Sequence, residues 1–197
     1  MFPFIYLASQ SPRRSQLLQQ LGIEHQLLLP DAHEDAEQLE TPLHNEPPLD
    51  YVQRVTQLKL EAAMTRLSQR QLPPAPVLCA DTTVALEGVI YGKPMHNEDA
   101  VQMLQVLSGR THQVMTAIAI GVQQQRSYAC SVSEVTFATL TARDIQDYVN
   151  SGEPMGKAGA YAIQGRAAAF ISHIQGSYTG IMGLPLFETA QLLQSVR

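Results

Sequence analysis

The sequence is poor in the residues that hold metals through sulfur or nitrogen. Its two cysteines, Cys79 and Cys130, lie far apart and form no CxxC pattern, so neither a zinc knot nor a disulfide framework is indicated. The six histidines (His25, His33, His44, His96, His112, His173) include no HxxxH or HExxH pair, which argues against a histidine-based zinc site. No run approaches the ~20 apolar residues of a membrane span. The apolar segment 2–7 is too short for a signal-peptide core, and its arginines follow rather than precede it. Charged residues make up 16% and the net charge is −5, so nothing draws the whole chain to nucleic acid or anionic membrane, and any basic site must be local. There is no internal repeat and no low-complexity segment. What remains is a cytoplasmic chain of 197 residues, 45% hydrophobic, long enough for one domain (1–197) with a proper core.

The chain is organised around residues 7–22, LASQSPRRSQLLQQLG. This reads as the end of a buried strand, a tight turn and a helix. Ser11 suits an N-cap, Pro12 the first helical position and Gly22 the C-terminal stop. Arg13 and Arg14 are out of place in a first helical turn, where each cation costs about 0.3–1 kcal/mol against the helix dipole. An anion at that turn reverses the sign, because free N–H groups and two guanidinium groups then point at it. The alternative is a pair of solvated surface arginines.

Downstream, residues 25–30 read as a strand and 31–48 as a long acidic, proline-punctuated loop. Residues 49–69 form the longest helix, with Lys59 at the edge of its apolar face; its stem could cover apolar surface while the head reaches water. Residues 77–86, VLCADTTVAL, make a central strand interrupted by Asp81. A buried carboxylate there needs a cation, a metal or a cleft at the strand's end. Residues 89–91 return, and GKP (92–94) holds Lys93 on a rigid exit near Asp81. Asn97 caps the next helix; 114–122 and 128–140 are long strands of a curved mixed sheet. Thr141 caps a short helix with Asp144 three residues on. Residues 151–165, SGEPMGKAGAYAIQG, carry too many glycines for a regular helix. Their GxxxGK is one residue short of a phosphate loop and lacks its Ser or Thr, so a Walker motif is rejected; glycines beside Lys157 still suit an anion. Gln164 offers an amide that donates and accepts. Residues 167–174 read as a strand, and GLP (183–185) opens the last helix.

Arg13, Arg14, Lys59, Lys93 and Lys157 come from separate elements, several at turns beside glycine. Cations spread in this way suit a polyphosphate. Carboxylates among them, Asp81 and Glu34, suit a divalent ion or a base that activates water. The chemistry indicated is metal-assisted hydrolysis of a phosphoanhydride.

LASQSPRR, ADTTV followed by GKP, LSGRTHQV, and KAGAYAIQG with the late GLP together resemble the Maf family of nucleoside triphosphate pyrophosphatases, over about residues 7–193. The resemblance implies an α/β fold of the inosine-triphosphatase-like type: an elongated mixed sheet with flanking helices and two lobes around a central cleft. It implies hydrolysis of a nucleoside triphosphate to the monophosphate and pyrophosphate with a divalent cation, magnesium or manganese, in a homodimer. Position by position, Asp81 matches the proton acceptor, and Ser9, Arg13 and Arg14 match the phosphate-binding turn. Glu34 matches an acid that, with Asp81, would hold the metal; Lys59, Lys93 and Lys157 match lysines that neutralise the triphosphate. His33 stands where an acid is expected, which touches the metal shell.

The family divides by substrate. Arg13, Thr82 and Gln164 stand where a 7-methyl-GTP branch tends to carry Trp, Gln and Glu. A Glu suits a guanine edge and a Trp a cationic base, whereas Gln meets the mixed edge of uracil or thymine. The resemblance thus implies hydrolysis of dTTP and UTP, with modified pyrimidine nucleotides as an extension. The alternatives are a 7-methyl-GTP pyrophosphatase and a non-catalytic nucleotide-binding regulator of septum formation or cell division.

Overall fold

The computed structural model describes residues 2–31, 34 and 38–196. A seven-stranded mixed sheet has the order β2-β1-β3-β5-β6-β7, with β4 paired to β3. The elements are β1 (Ile5–Leu7), α1 (Pro12–Gln20), β2 (His25–Leu27), a 3-10 turn (Gln38–Glu40), α2 (Pro48–Gln69), β3 (Val77–Leu86), β4 (Val89–Tyr91), α3 (Asn97–Leu107), β5 (Thr111–Val122), β6 (Gln125–Phe137), α4 (Ala142–Asn150), β7 (Ile171–Gln175), α5 (Tyr178–Met182) and α6 (Leu186–Ser195). β1 is parallel to both β2 and β3, and the remaining pairings are antiparallel.

The three long strands β3, β5 and β6 run through two lobes. On one face, Leu17 and Leu18 of α1 and Leu193 of α6 pack on Leu78, Ala80, Ile118 and Ile120. Further along that face, Leu104 and Leu107 of α3 and Ile145 and Tyr148 of α4 pack on Val84, Val114 and Phe137. Alternation along β3 places Thr82 between these two cores and turns Asp81 to the opposite face, which α2 covers. There Leu60 and Ala63 meet Val77 and Cys79, while Val52 and Val55 meet Ala85 and Met115.

The edge of β3 explains where a site can form. β1 pairs with β3 only at Val77 and Leu78, and β4 takes over only at Val84. Ala8 extends the first pairing with one bond from its N–H to Leu78 O. Residues 80–83 therefore lie in a gap, at the carboxyl end of β1, where the chain has gone to β2 on one side and to β3 on the other. That is the switch point at which open α/β sheets take ligands.

Several local expectations are corrected. The N-cap of α3 is His96, whose Nδ1 accepts from Asp99 N–H, and Asn97 is the first helical residue. β6 spans 125–137 rather than 128–140, because Ala138 N–H donates to Phe170 O and Leu140 N–H to Ser108 Oγ instead of to a strand. Residues 166–170 form a 3-10 turn rather than a strand; three consecutive alanines offer little to a pleated surface. β7 begins at Ile171. Thr141 and Asp144 form the capping box expected of them.

Leu78 is fully buried on the strand both lobes share. Leu78→Ala is expected to lower unfolding free energy by about 2–5 kcal/mol in denaturant titration; a loss under ~1 kcal/mol would mean that the core does not close over this strand.

Candidate functional site

At the gap, Asp81 is 8% exposed on a strand of apolar neighbours. An unpaired charge so placed would cost several kcal/mol. Its cation comes from α2: Lys59 Nζ donates to Asp81 Oδ1 at 2.5 Å and to Glu40 Oε1 at 2.7 Å. The other oxygen of Glu40, Oε2, accepts from Lys93 Nζ at 2.9 Å. The result is a row of alternating charge, Asp81–Lys59–Glu40–Lys93. Lys59 therefore does not simply reach water, and Lys93 reaches Glu40 rather than Asp81. Burial pushes the Glu40 carboxyl up, but the two lysines prevail and hold it below the usual carboxylate range.

Glu40 reaches this place because its segment is strapped to α2. Tyr51 Oη donates to Glu40 O at 2.8 Å. Arg54 makes a two-pronged bond to Glu46 at 2.5 and 2.7 Å and donates to Thr41 O. Glu46 in turn accepts from Leu43 N–H. Glu34 sits elsewhere. Its carboxylate takes three bonds from Arg66, which also donates to Leu28 O. Arg66 is seven residues beyond Lys59 on α2, roughly 10 Å along the helix axis. The structure thus groups Glu40, and not Glu34, with Asp81; His33 lies outside the described residues.

The opening turn builds the other side of the gap. Arg14 donates through Nε to Gly183 O at 2.8 Å, through Nη1 to Ser9 Oγ at 3.0 Å and through Nη2 to Thr82 Oγ1 at 3.4 Å. Thr82 Oγ1 lies 2.9 Å from Thr116 Oγ1, which donates to Gly180 O at 2.7 Å. A hydroxyl has one proton, so Thr82 donates to Thr116 and accepts from Arg14. Arg14, Ser9 and Thr82 are thereby fixed by one another. Burial lowers the Arg14 guanidinium and the Asp81 charge opposes that shift. Ser11 makes no side-chain cap on α1; its N–H donates to Ser9 Oγ.

Arg13 differs from Arg14. Among the described residues it has no hydrogen-bond or ion-pair partner, and burial lowers it. It is close enough to Lys157 that burial and then the Arg13 charge depress that lysine against the opposing charge of Glu153; Lys157 Nζ donates to Met155 O at 3.0 Å. The loop carrying Lys157 is docked beside the gap by Gly159, whose N–H donates to Gly92 O. Gly159 has φ +65°, and a Cβ there would lie 2.8 Å from Val84 Cγ1, so only glycine fits. Gln164 is exposed, on a turn of this loop. Lys59, Lys93 and Lys157 are the chain's only lysines; the first two share Glu40, and Lys157 lies near Arg13.

Among the described residues no group of three or more His, Cys, Asp and Glu converges. Two carboxylate oxygens, Asp81 Oδ1 and Glu40 Oε1, nevertheless face one nitrogen. Oxygen donors of this number suit magnesium or manganese, which take one or two carboxylates and complete their shell with water and substrate phosphates.

The family model described as Maf-like protein matches residues 4–196. The chain belongs to that family. It is 65% identical over 195 residues to a dTTP/UTP pyrophosphatase of Albidiferax ferrireducens, covering 99% of this chain and 98% of that one. It is 59% identical to a dTTP/UTP pyrophosphatase of a Polaromonas species, covering 98% and 95%. A nucleoside-triphosphatase / dITP/XTP pyrophosphatase of Mycobacterium abscessus shares 12% identity at a TM-score of 0.43, over 69% of this chain and 75% of that one, too slight a likeness to carry an argument. No helix among the described residues is long and apolar enough to cross a membrane.

The strap has a pH signature. Its bond to Arg54 pulls Glu46 from an ordinary 4.5 to about 2. A depressed carboxylate contributes its full stability above its unfolded value and loses it as the pH falls through the folded one. The stability difference between wild type and Glu46→Gln is therefore expected to be constant above about pH 5 and to shrink toward pH 2, measured by denaturant unfolding; a difference independent of pH would remove this ion pair from the strap.

Proposed function

We propose that this chain hydrolyses dTTP and UTP, and modified pyrimidine nucleoside triphosphates, to the monophosphate and pyrophosphate. The reading rests above all on one observation: Asp81, on the stretch of β3 that β1 and β4 leave unpaired, is held by Lys59, which also bonds Glu40. The names of relatives at 57–65% identity support the base choice.

In this reading the triphosphate lies between the two walls of the gap. Arg13 and Lys157, the site cations that pair with no acid among the described residues and are not committed as Arg14 is, take its phosphate charge, and α1 presents its N-terminal N–H groups. Arg14 does not swing to the ligand; it holds Ser9 and Thr82 in place. Asp81 accepts the proton of the water that attacks the α-phosphorus. Lys59 and Lys93 neutralise charge that grows on the leaving pyrophosphate. Asp81 and Glu40 would hold the divalent cation, which supplies Lewis acidity toward the phosphate oxygens and lowers the pKa of bound water. Gln164 faces the base, its amide matching an edge that both donates and accepts. On this reading the enzyme works in the cytoplasm, and the resemblance implies a homodimer.

Pyrophosphate release from dTTP, UTP, CTP, GTP and 7-methyl-GTP, with magnesium and then manganese, tests the reading. Turnover of dTTP and UTP is expected, and Asp81→Asn is expected to abolish it while nucleotide binding persists. Activity on 7-methyl-GTP instead would keep the mechanism and overturn the base choice; binding without turnover would make the chain a nucleotide-binding regulator.

The metal assignment has its own test. Glu40→Gln is expected to raise the metal concentration for half-maximal turnover about tenfold or more, and by more than Glu34→Gln does. The reverse order would return the metal to Glu34.

A further inference from the structure

The turn that carries Gln164 is held at both ends by one pair of side chains, Tyr148 buried and Glu153 half-buried. Gly165 N–H donates to Ala162 O at 3.0 Å, closing a four-residue turn with Gln164 at its third position. Before the turn, Ala162 N–H donates to Tyr148 Oη at 3.4 Å. After it, Arg166 N–H donates to Glu153 Oε2 at 3.1 Å. The two anchors are joined to each other, because Tyr148 Oη donates to Glu153 Oε1 at 2.9 Å. Tyr148 is 2% exposed and its ring meets Phe170 edge-on, so its hydroxyl has little freedom.

The carboxylate of Glu153 also fills the space a side chain at Gly165 would need. A Cβ there would lie 2.1 Å from Oε1, although Gly165 has φ −103°, which any residue adopts. Glycine is thus present for the close approach of Glu153 and not for its backbone angle. Gln164 itself is exposed and makes no hydrogen bond within the described residues. With no bond of its own, its side chain starts from a backbone position fixed by this turn, which Tyr148 and Glu153 hold at its two ends.

We propose that Glu153, acting with Tyr148, is a positioning residue for base selection: it fixes the turn so that the Gln164 amide meets the pyrimidine edge in one orientation. The inference rests on the reading that Gln164 faces the base. Glu153 touches neither phosphate nor base, and its loss should leave the chemistry at Asp81 in place. The mis-seated amide should cost selectivity, since a polar group that misses its partner discriminates poorly.

The test is the ratio of kcat/KM for UTP to that for CTP, which share sugar and triphosphate and differ at the base edge. Glu153→Ala is expected to lower this ratio about tenfold, as Gln164→Ala does, mainly through KM for UTP. Gly165→Ala is expected to do the same, because its methyl displaces the carboxylate without removing any hydrogen-bonding group. Glu153→Gln, which keeps an acceptor for one of the two donors, should lose less. If Glu153→Ala does not fold, Gly165→Ala and Tyr148→Phe carry the test. An unchanged ratio in these variants, with Gln164→Ala still lowering it, overturns the positioning role alone. An equal loss of rate on both nucleotides makes Glu153 merely structural and also overturns it. No effect of Gln164→Ala removes the base reading, and the proposal with it.

Discussion

A carboxylate in the middle of a buried strand must be given a cation, and the molecule's active cleft is arranged around meeting that demand. Asp81 obtains Lys59 from α2; Lys59, held at the edge of the helix's apolar face, obtains a second acid in Glu40. Glu40 needs a strap to bring it across, and its remaining oxygen takes Lys93 from the turn after β4. Four elements distant in sequence are thus drawn to one point by the need not to leave a charge unpaired. The gap between β1 and β4 on the edge of β3 gives that point access to solvent.

The cations divide into two groups with different consequences. Lys59 and Lys93 are compensated by acids, so their charge is balanced within the protein. Among the described residues Arg13 and Lys157 form no ion pair; each sits partly buried, and burial and the Arg13 charge depress Lys157 despite the Glu153 charge. Two like charges held together store unfavourable energy that an incoming polyanion relieves. Arg14 belongs to neither group, since its donors are committed to the backbone of Gly183 and to two hydroxyls. Neighbouring arginines in one motif therefore differ in structure: Arg14 is bolted to three partners, and Arg13 is bonded to none among the described residues.

The fold was readable because periodic burial dominates its long elements. The limits of α2 fell within a residue of the apolar pattern, and those of β3 and β4 matched the pattern itself. Asp81 was readable for the converse reason, as a charge where the pattern forbids one. Glu40 was not, because it lies in an acidic loop without period, where Glu34 and its neighbours look alike, and only the strap to Tyr51 and Arg54 distinguishes it. A signal did exist: a chain with so few lysines spends them where charge matters, and Lys59 and Lys93 needed an acid within reach. Thr82 was found as a base-choice position, yet its place in a relay with Arg14 and Thr116 depends on strand register, which a single strand does not reveal. Glu153 was invisible in sequence because its task, filling the space above Gly165, depends on a contact between two loop segments.

The bond between Arg14 and the carbonyl of Gly183 joins positions 169 residues apart. Contacts of such long separation form late, after the loops between them have closed. The opening turn therefore acquires its final shape only when α5 and the residues after it have docked. A chain cut short before α5 holds the whole LASQSPRR segment but lacks the carbonyl that fixes Arg14 within it; the opening turn and the turn after α5 are one structural unit.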